Sequence, residues 1–187
     1  EGRTAAIIGL GLIGGSLAFR LRNRGYRVIG YDLSDERTQT ALHLGAVNES
    51  CSSAAAAVKD CDFVFVATPV GAIPSIIEEI MPHTAPEAIV TDVGSVKRPI
   101  MEKITALQPL FTFIGGHPMA GSEQGGIEAA DPNLFENAVY VLTPISEDAV
   151  GEQPFRQLAQ LIESDLGAAV MVMQPKVHDE VVAAVSH

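Results

Sequence analysis

Short apolar runs recur along the chain, and the segments between them carry apolar residues at helical spacing. Several of these runs are almost continuously apolar, as parallel strands buried on both faces are. We predict strands at 5–8, 27–31, 62–67, 88–92, 111–114, 138–143 and 168–173. We predict helices that end near 24 and near 45, and further helices at 73–81, after 95, at 155–162 and from 175. The alanine-rich segment 52–58 is either a short helix or a packing surface of small residues. The alternation predicts an α/β fold built on a mostly parallel sheet.

Three spaced glycines stand between the first strand and the first helix. Gly9 allows a tight turn, Gly11 lets a pyrophosphate approach the backbone, and Gly14 lets the helix pack against the strand. The helix N-terminus at Leu12 and Ile13 then presents unpaired N–H groups and a partial positive charge to the phosphates. Because glycine clusters also form ordinary turns, the assignment depends on the residues near the second strand.

A carboxylate stands after the second strand, where dinucleotide-binding domains hold the ribose. Asp32 comes about twenty residues after the glycines and can accept hydrogen bonds from adenosine hydroxyls. It would repel a 2′-phosphate, so NAD is preferred over NADP, although the nearby Arg37 leaves NADP open. Thr68 and Pro69 come after the next strand and are expected along the cofactor, with a plain strand-to-helix turn as the alternative for Pro69. The pattern predicts a Rossmann-type, doubly wound domain over residues 1–173.

Charge and cysteine usage narrow the classes of partner. The 187 residues carry a formal net charge of −11, which argues against nucleic acid because its binders usually present a basic face. No apolar run reaches membrane-spanning length and the N-terminus lacks a signal-peptide pattern, so we expect a cytoplasmic protein without a membrane partner. Cys51 and Cys61 stand at a spacing that matches no motif, which indicates reduced thiols and no metal site.

Two polar residues come after the strand at 88–92. Ser95 can cap the next helix or hydrogen-bond a ligand in the crevice, and one hydroxyl can do both. Lys97 is predicted in the first turn of that helix, where a cation opposes the helix dipole. An unfavourable charge at the lip of the crevice indicates an anionic ligand, with a solvated lysine as the alternative.

The glycine-rich stretch after the strand at 111–114 carries the candidate for a catalytic base. Residues 115–126 are rich in glycine yet include His117, Ser122 and Glu123. Oxidation by a nicotinamide needs a base near neutral pH, and histidine has a suitable unperturbed pKa. We therefore predict that His117 is catalytic rather than a turn residue.

The chain changes character after the last predicted strand. Pro175 suits the first position of a helix, and Val177, Val181 and Val185 share one face of that helix. This uncovered apolar face predicts that residues 174–187 are the first helix of a second, helical domain. The rest of that domain is absent from this chain, or the helix packs on a partner.

Several motifs together resemble the prephenate/arogenate dehydrogenase family of tyrosine biosynthesis. They are Gly-Leu-Gly-Leu-Ile-Gly-Gly-Ser at 9–16, Asp-Val-Gly-Ser-Val-Lys at 92–97, Gly-His-Pro-Met-Ala-Gly-Ser-Glu at 116–123, His178-Asp179 and Ser186-His187. The resemblance covers nearly the whole chain, and the motif at 116–123 is its most specific part. It implies NAD(P)-dependent oxidative decarboxylation of prephenate to 4-hydroxyphenylpyruvate, or of arogenate to tyrosine.

The resemblance also implies roles for particular residues. By similarity, His117 is the catalytic histidine and Ser95 hydrogen-bonds the same substrate hydroxyl. Ser122 and Glu123 would lie at the substrate pocket, and His178 would be a histidine on the side of that pocket. In the family an all-helical domain comes after the Rossmann domain, forms the homodimer and supplies the positive charge that grips the substrate side chain.

Two other classes stay open. A β-hydroxyacid or 6-phosphogluconate-type dehydrogenase shares the early glycine motif and a helical second domain, but such enzymes typically use a lysine-centred site. A cofactor-sensing Rossmann module without catalysis is the other class, because the fold alone does not imply an enzyme. The Gly-His-Pro-Met-Ala-Gly run favours the prephenate/arogenate dehydrogenase class over both.

Overall fold

The computed structural model describes residues 2–122 and 124–185, in which strands and helices alternate along most of the chain. The strands of these residues are β1 (Thr4–Ile8), β2 (Arg27–Tyr31), β3 (Glu49–Ser50), β4 (Phe63–Val66), β5 (Ile89–Asp92), β6 (Thr112–Pro118), β7 (Val139–Thr143) and β8 (Ala169–Val172). The α-helices are α1 (Leu12–Asn23), α2 (Asp35–Leu44), α3 (Ala54–Ala57), α4 (Ile73–Ile80), α5 (Arg98–Leu107), α6 (Gln153–Gln160) and α7 (Pro175–Val185).

The strands form a single mixed sheet with the order β3-β2-β1-β4-β5-β6-β7-β8. Neighbours from β3 to β6 pair in parallel, whereas β7 runs antiparallel to β6 and β8 runs parallel to β7. The order reverses at β1, because the chain builds outward to β3 and then crosses back to β4 on the other side. The prediction of a doubly wound, mostly parallel sheet is confirmed.

Side chains of the central strands alternate between two cores, one on each face of the sheet. Ala5 and Ile7 of β1 belong to the core under α1, α2 and α6. Ala6 and Ile8 belong to the core under α3, α4 and α5. Because both faces are covered by helices, β4 is a continuous apolar run in the sequence, and so is β1 after Thr4.

The structure corrects two features of the predicted sheet. β6 does not end at Ile114 but continues through His117 to Pro118, because β7 pairs with the segment from Gly115 to Pro118. His117 therefore lies in a strand rather than in a glycine-rich loop. The two-residue strand β3 was not predicted, since a pairing this short leaves no pattern in the sequence.

The C-terminal helix carries the apolar face that its sequence indicates. α7 begins at Pro175, and Val177, Val181 and Val185 are exposed on it, the last by 74%. Among the helices of residues 2–122 and 124–185, none combines the length and the apolar character needed to cross a bilayer. The division of the chain into domains at residue 173 stays a prediction.

Candidate active site

Close backbone packing shapes the glycine-rich turn after β1. Gly9 has a φ of +101°, and a Cβ on it would lie 2.5 Å from the carbonyl oxygen of Ala67. A Cβ on Gly14 would lie 1.8 Å from the carbonyl oxygen of Gly9, so α1 approaches the turn more closely than any larger residue would permit. The N–H of Gly9 donates to the carbonyl oxygen of Tyr31 at 2.8 Å. Turn and helix are thereby fixed against β2 and β4.

A cleft of about 340 Å³ opens beside this turn, at the point where the strand order reverses. Ligands of doubly wound sheets bind at this kind of position. Most of the predicted cofactor residues line the cleft, namely Gly9, Gly11, Leu12, Ile13, Asp32, Thr68 and Pro69. Gly14 instead packs against the turn, and Arg37 is a further lining residue.

Two polar groups of the cleft fit a dinucleotide. The Asp32 carboxylate accepts the N–H groups of Leu10 and Ser34, each at 2.8 Å. A carboxylate offers about four acceptor sites, so the anchored Asp32 retains capacity for ribose hydroxyls. Thr68 Oγ1 is buried and makes no hydrogen bond within the described residues. Because an unsatisfied buried hydroxyl is costly, a polar ligand in the cleft would stabilise this arrangement.

The loop after β6 contacts the N-terminus of α1. The N–H of Leu12 donates to the carbonyl oxygen of Gly125 at 2.9 Å, and a Cβ on Gly125 would lie 2.6 Å from the Cβ of Leu12. Ser122 belongs to this loop and lines the cleft, whereas Glu123 lies outside the described residues. A phosphate at the glycine-rich turn would compete with the Gly125 carbonyl for the N–H of Leu12.

The double glycine before His117 is required by the neighbouring strands. A Cβ on Gly115 would lie 2.1 Å from Oγ1 of Thr143 in β7. A Cβ on Gly116 would lie 2.6 Å from the carbonyl oxygen of Asp92 in β5. Only glycine therefore lets β6 pack between β5 and β7 at this height.

A buried ion pair holds the backbone of Gly116. Asp92 Oδ1 accepts its N–H at 3.1 Å, and the Lys97 ammonium donates to its carbonyl oxygen at 2.6 Å. Asp92 and Lys97 also pair directly with each other, and both side chains are fully buried. Burial lowers the pKa of Lys97, while the Asp92 carboxylate opposes that shift. The pair fixes the peptide units on both sides of Gly116, and hence the backbone that carries His117.

Both sequence-based expectations for Lys97 are wrong. Its side chain is neither solvated nor placed at the lip of the crevice, because Asp92 and Gly116 hold it inside the protein. The residue also precedes the first turn of α5 and forms its N-cap. The contact with Gly116 lies 19 positions away in the chain, so the local pattern around Lys97 gives no sign of it.

His117 is hydrogen-bonded to a second histidine. Its Nδ1 lies 2.7 Å from Nε2 of His178, and the two rings meet edge to face at 78°. His178 is fully buried, and its Nδ1 lies 2.7 Å from Oδ1 of Asp179. Burial, the neighbouring His178 and the Lys97 charge lower the pKa of His117 to about 4. The ring of His117 is therefore neutral near physiological pH.

Asp179 also caps α5 from another helix. Its carboxylate accepts the N–H of Lys97 at 2.8 Å and the N–H of Arg98 at 3.0 Å. Partial burial raises the pKa of Asp179, but hydrogen bonds from His178 and from these two N–H groups lower it below its ordinary value. Ser95 lies before the N-cap residue of α5, so the alternative in which Ser95 caps that helix is wrong.

The structure thus gathers the predicted residues into two groups on one edge of the sheet. The cofactor candidates surround the cleft beside β1, β2 and β4, whereas His117 and His178 meet at the carboxyl end of β6. β4 and β6 are separated by one strand, a distance of about 10 Å at the usual strand spacing. A dinucleotide that extends from Asp32 across β1 and β4 would point toward His117.

The sequence pattern does not predict two residues of this site, Asp92 and Asp179. Both stand inside motifs that point to the site, but their roles depend on distant partners. Asp179 contacts the backbone of Lys97 across 82 positions, and Asp92 contacts that of Gly116 across 24. The one local signal is the position of Asp92, a charged residue at the end of an otherwise apolar buried strand.

A family model described as the nucleotide-binding domain of prephenate dehydrogenase matches residues 17–172. The chain belongs to this family. Prephenate dehydrogenase of Bacillus subtilis (strain 168) is 39% identical over 189 residues, which cover 98% of this chain and 50% of that protein. The predicted membership in the prephenate/arogenate dehydrogenase family is confirmed.

Solved structures of prephenate and arogenate dehydrogenases have the same fold. Synechocystis arogenate dehydrogenase superposes with a TM-score of 0.88 at 38% identity, covering 98% of this chain and 64% of that one. Prephenate dehydrogenase of Aquifex aeolicus in complex with hydroxyphenyl propionate and NAD+ gives 0.84 at 32% identity, covering 97% and 63%. The present chain spans about half the length of the Bacillus subtilis relative.

Proposed function

We propose that this protein catalyses the NAD-dependent oxidative decarboxylation of prephenate or arogenate. The observation that carries the proposal is the neutral His117 at the carboxyl end of β6, on the same sheet edge as the dinucleotide cleft. Membership in the family supports the same reaction, as does the related structure with hydroxyphenyl propionate and NAD+.

Bound NAD would accept a hydride from C4 of the substrate ring. The task of His117 is to take up the proton of the C4 hydroxyl as electron density leaves that carbon. The ring carboxylate departs as CO2, its bonding electrons make the ring aromatic, and the phenol oxygen regains the proton. We propose that Ser95 hydrogen-bonds the same hydroxyl, and that Ser122 and Glu123 belong to the substrate pocket.

An assay of the full-length protein tests the reaction class. We expect NADH formation with prephenate or arogenate and none with a 3-hydroxyacid. NADH formation with the 3-hydroxyacid alone would support the β-hydroxyacid class. NAD binding without turnover of any of the three would support a cofactor-sensing module. Parallel kcat/KM values with prephenate and arogenate identify the preferred substrate.

The environment of Asp32 supports NAD rather than NADP as the cofactor. The carboxylate is fixed at the cleft by two backbone N–H groups, where it would repel a 2′-phosphate. Arg37 lines the same cleft and is the group that a 2′-phosphate would use. We expect Asp32→Ser to raise the KM for NAD more than the KM for NADP, and equal effects would remove the assignment.

Burial of Lys97 weighs against the lysine-centred class of dehydrogenase. That class needs a lysine side chain exposed to the substrate, and Lys97 is the lysine nearest to the crevice in the sequence pattern. Its ammonium is instead fully buried and committed to Asp92 and to the backbone of Gly116. A histidine-centred reaction agrees better with this arrangement.

We also propose that the protein is a cytoplasmic homodimer. The free Cys51 and Cys61 fit a reducing compartment. The exposed valines of α7 supply apolar surface that a helical dimer interface would cover. Light scattering of the full-length protein after size exclusion should give twice the mass of one chain, and a monomer at micromolar concentration would contradict the proposal.

A further inference from the structure

We infer that His178 and Asp179 are positioning residues, which hold His117 in the tautomer with its proton on Nδ1 and an unprotonated Nε2. The inference rests on the proposed function for its catalytic meaning, because a general base needs that free nitrogen. The hydrogen bonds between His117, His178 and Asp179 are present in the folded chain without a ligand, so they can be tested without substrate.

The order of donors and acceptors is set by Asp179. An ionised carboxylate only accepts hydrogen bonds, and Asp179 already accepts the N–H groups of Lys97 and Arg98. Its 2.7 Å contact with Nδ1 of His178 therefore requires a proton on that nitrogen. A neutral His178 then has no proton on Nε2, so Nε2 accepts the 2.7 Å hydrogen bond from His117. The donor is the Nδ1–H group of His117.

The charges around His117 favour its neutral state. The positive charge of Lys97 disfavours a second proton on His117. Asp179 faces His178, and Asp92 is already committed to Lys97. With two neutral rings and an ionised Asp179, a single arrangement of protons satisfies both hydrogen bonds.

The backbone around the rings is also fixed. Asp179 ties α7 to the N-terminus of α5, where the helix dipole favours a negative charge. Asp92 and Lys97 hold Gly116 immediately before His117. The contacts of Asp92 and Lys97 with Gly116 thus set the position of the His117 ring, and the contact of Asp179 with His178 sets its tautomer. Lys97 takes part in both, because its backbone N–H donates to Asp179.

This arrangement matters at the moment of proton transfer. When Nε2 takes the proton of the C4 hydroxyl, His117 becomes an imidazolium whose Nδ1–H still donates to His178. The negative charge of Asp179 then stabilises the cation through the intervening ring, as the carboxylate does in a Ser-His-Asp triad. The proton returns to the phenol oxygen as the ring becomes aromatic. Without the acceptor on His178, the neutral ring of His117 is free to carry its proton on Nε2. In that tautomer Nε2 cannot act as a base.

Two substitutions at one position separate the acceptor from the shape of the ring. His178→Phe keeps an aromatic ring but offers no acceptor, whereas His178→Gln can present an amide oxygen near the position of Nε2. Glu180→Gln is the matched control, because Glu180 is exposed on the same helix and its replacement removes one acidic charge next to Asp179. All variants are made in the full-length protein.

Nitrogen-15 chemical shifts of the histidine rings give the readout, with the His117 signals assigned from their loss in His117→Asn. We expect a proton on Nδ1 of His117 in the wild type, in Glu180→Gln and in His178→Gln, and on Nε2 in His178→Phe. We expect kcat of His178→Phe to fall about 10²-fold with little change in KM, and His178→Gln to stay within about tenfold of the wild type.

The outcomes separate the positioning role from the proposed reaction. A proton on Nε2 of His117 in the wild type overturns the inference, whether or not His178→Phe folds. An unchanged tautomer in a folded His178→Phe protein overturns it as well. The expected tautomers in a protein that turns over neither prephenate nor arogenate would contradict the proposed function and leave the positioning role in place.

Discussion

The surroundings of His117 set both its protonation state and its orientation. Burial, His178 and Lys97 together lower its pKa to about 4, so the ring is unprotonated near neutral pH. A general base must be unprotonated before the reaction begins. The same contacts that exclude the proton also orient the ring.

Replacement of His117 by asparagine tests the catalytic role directly. Asparagine keeps a polar side chain but has no basic nitrogen, so we expect kcat to fall by about 10²–10⁴-fold. The affinity for NAD should stay nearly unchanged, because the proposed NAD contacts lie at the glycine-rich turn and at Asp32. Steady-state kinetics and a fluorescence titration with NAD measure the two effects. Wild-type turnover by this variant would contradict the assignment.

The lowered pKa of His117 predicts a pH dependence of stability. Between about pH 6.5 and about pH 4 the unfolded chain binds a proton at this ring, whereas the folded chain does not. The free energy of unfolding of the wild type should therefore decrease, relative to that of His117→Asn, as the pH falls through this window. Urea denaturation of both proteins at several pH values measures the difference. A difference that does not vary with pH would show that the folded-state pKa is not lowered.

At the scale of secondary-structure elements, one ion pair joins β5, β6 and the N-terminus of α5. We expect Lys97→Met to lower the free energy of unfolding by about 3–5 kcal/mol, because it leaves the buried Asp92 carboxylate uncompensated. Lys103→Met, on an exposed position of α5, is the control and should change the stability by less than about 0.5 kcal/mol. Equal denaturation midpoints for the two variants would contradict a structural role of the pair.

The junction of α1 with the turn after β1 depends on Gly14. A Cβ there would lie 1.8 Å from the Gly9 carbonyl oxygen, so Gly14→Ala should force the helix away from the turn and cost at least about 3 kcal/mol. A Cβ on Gly151 meets nothing within 4 Å, so Gly151→Ala should be nearly neutral. Urea denaturation compares the two, and a Gly14→Ala protein as stable as the control would contradict the packing described for this turn.

Elements with local signals are the ones that the sequence predicts well. β2 spans the predicted residues 27–31, and α2 begins after its Ser34 cap and ends at Gly45, which adopts a φ of +79°. These boundaries depend on residues within a few positions. The predicted β6 is too short because its last residues are held by β7, which comes later in the chain.

At the scale of the whole molecule, the same distinction applies to the candidate site. The glycine-rich turn and Asp32 are recognisable because they occupy consecutive elements at a characteristic spacing. Residue type and motif identify His117 as a candidate, but its partner His178 lies 61 positions away. Side-chain partners at such separations depend on the fold as a whole, so the sequence predicts His117 and His178 but not the hydrogen bond that joins them.

The fold brings both groups to one edge of the sheet by a simple rule. Parallel strands have their carboxyl ends on the same side, so the residues immediately after β1, β2, β4 and β5 converge with the end of β6. The antiparallel β7 then closes this edge beside His117. The cleft beside the glycine-rich turn and the unprotonated imidazole of His117 are thereby combined in one nucleotide-binding domain of the prephenate dehydrogenase family.

A crystal structure of the full-length protein with NAD+ and a hydroxyphenyl product analogue tests the central claim most directly. We expect Nε2 of His117 about 3 Å from the ligand hydroxyl, while Nδ1 keeps its hydrogen bond to His178. A ring turned away from the ligand, with another side chain at hydrogen-bond distance from that hydroxyl, would contradict it.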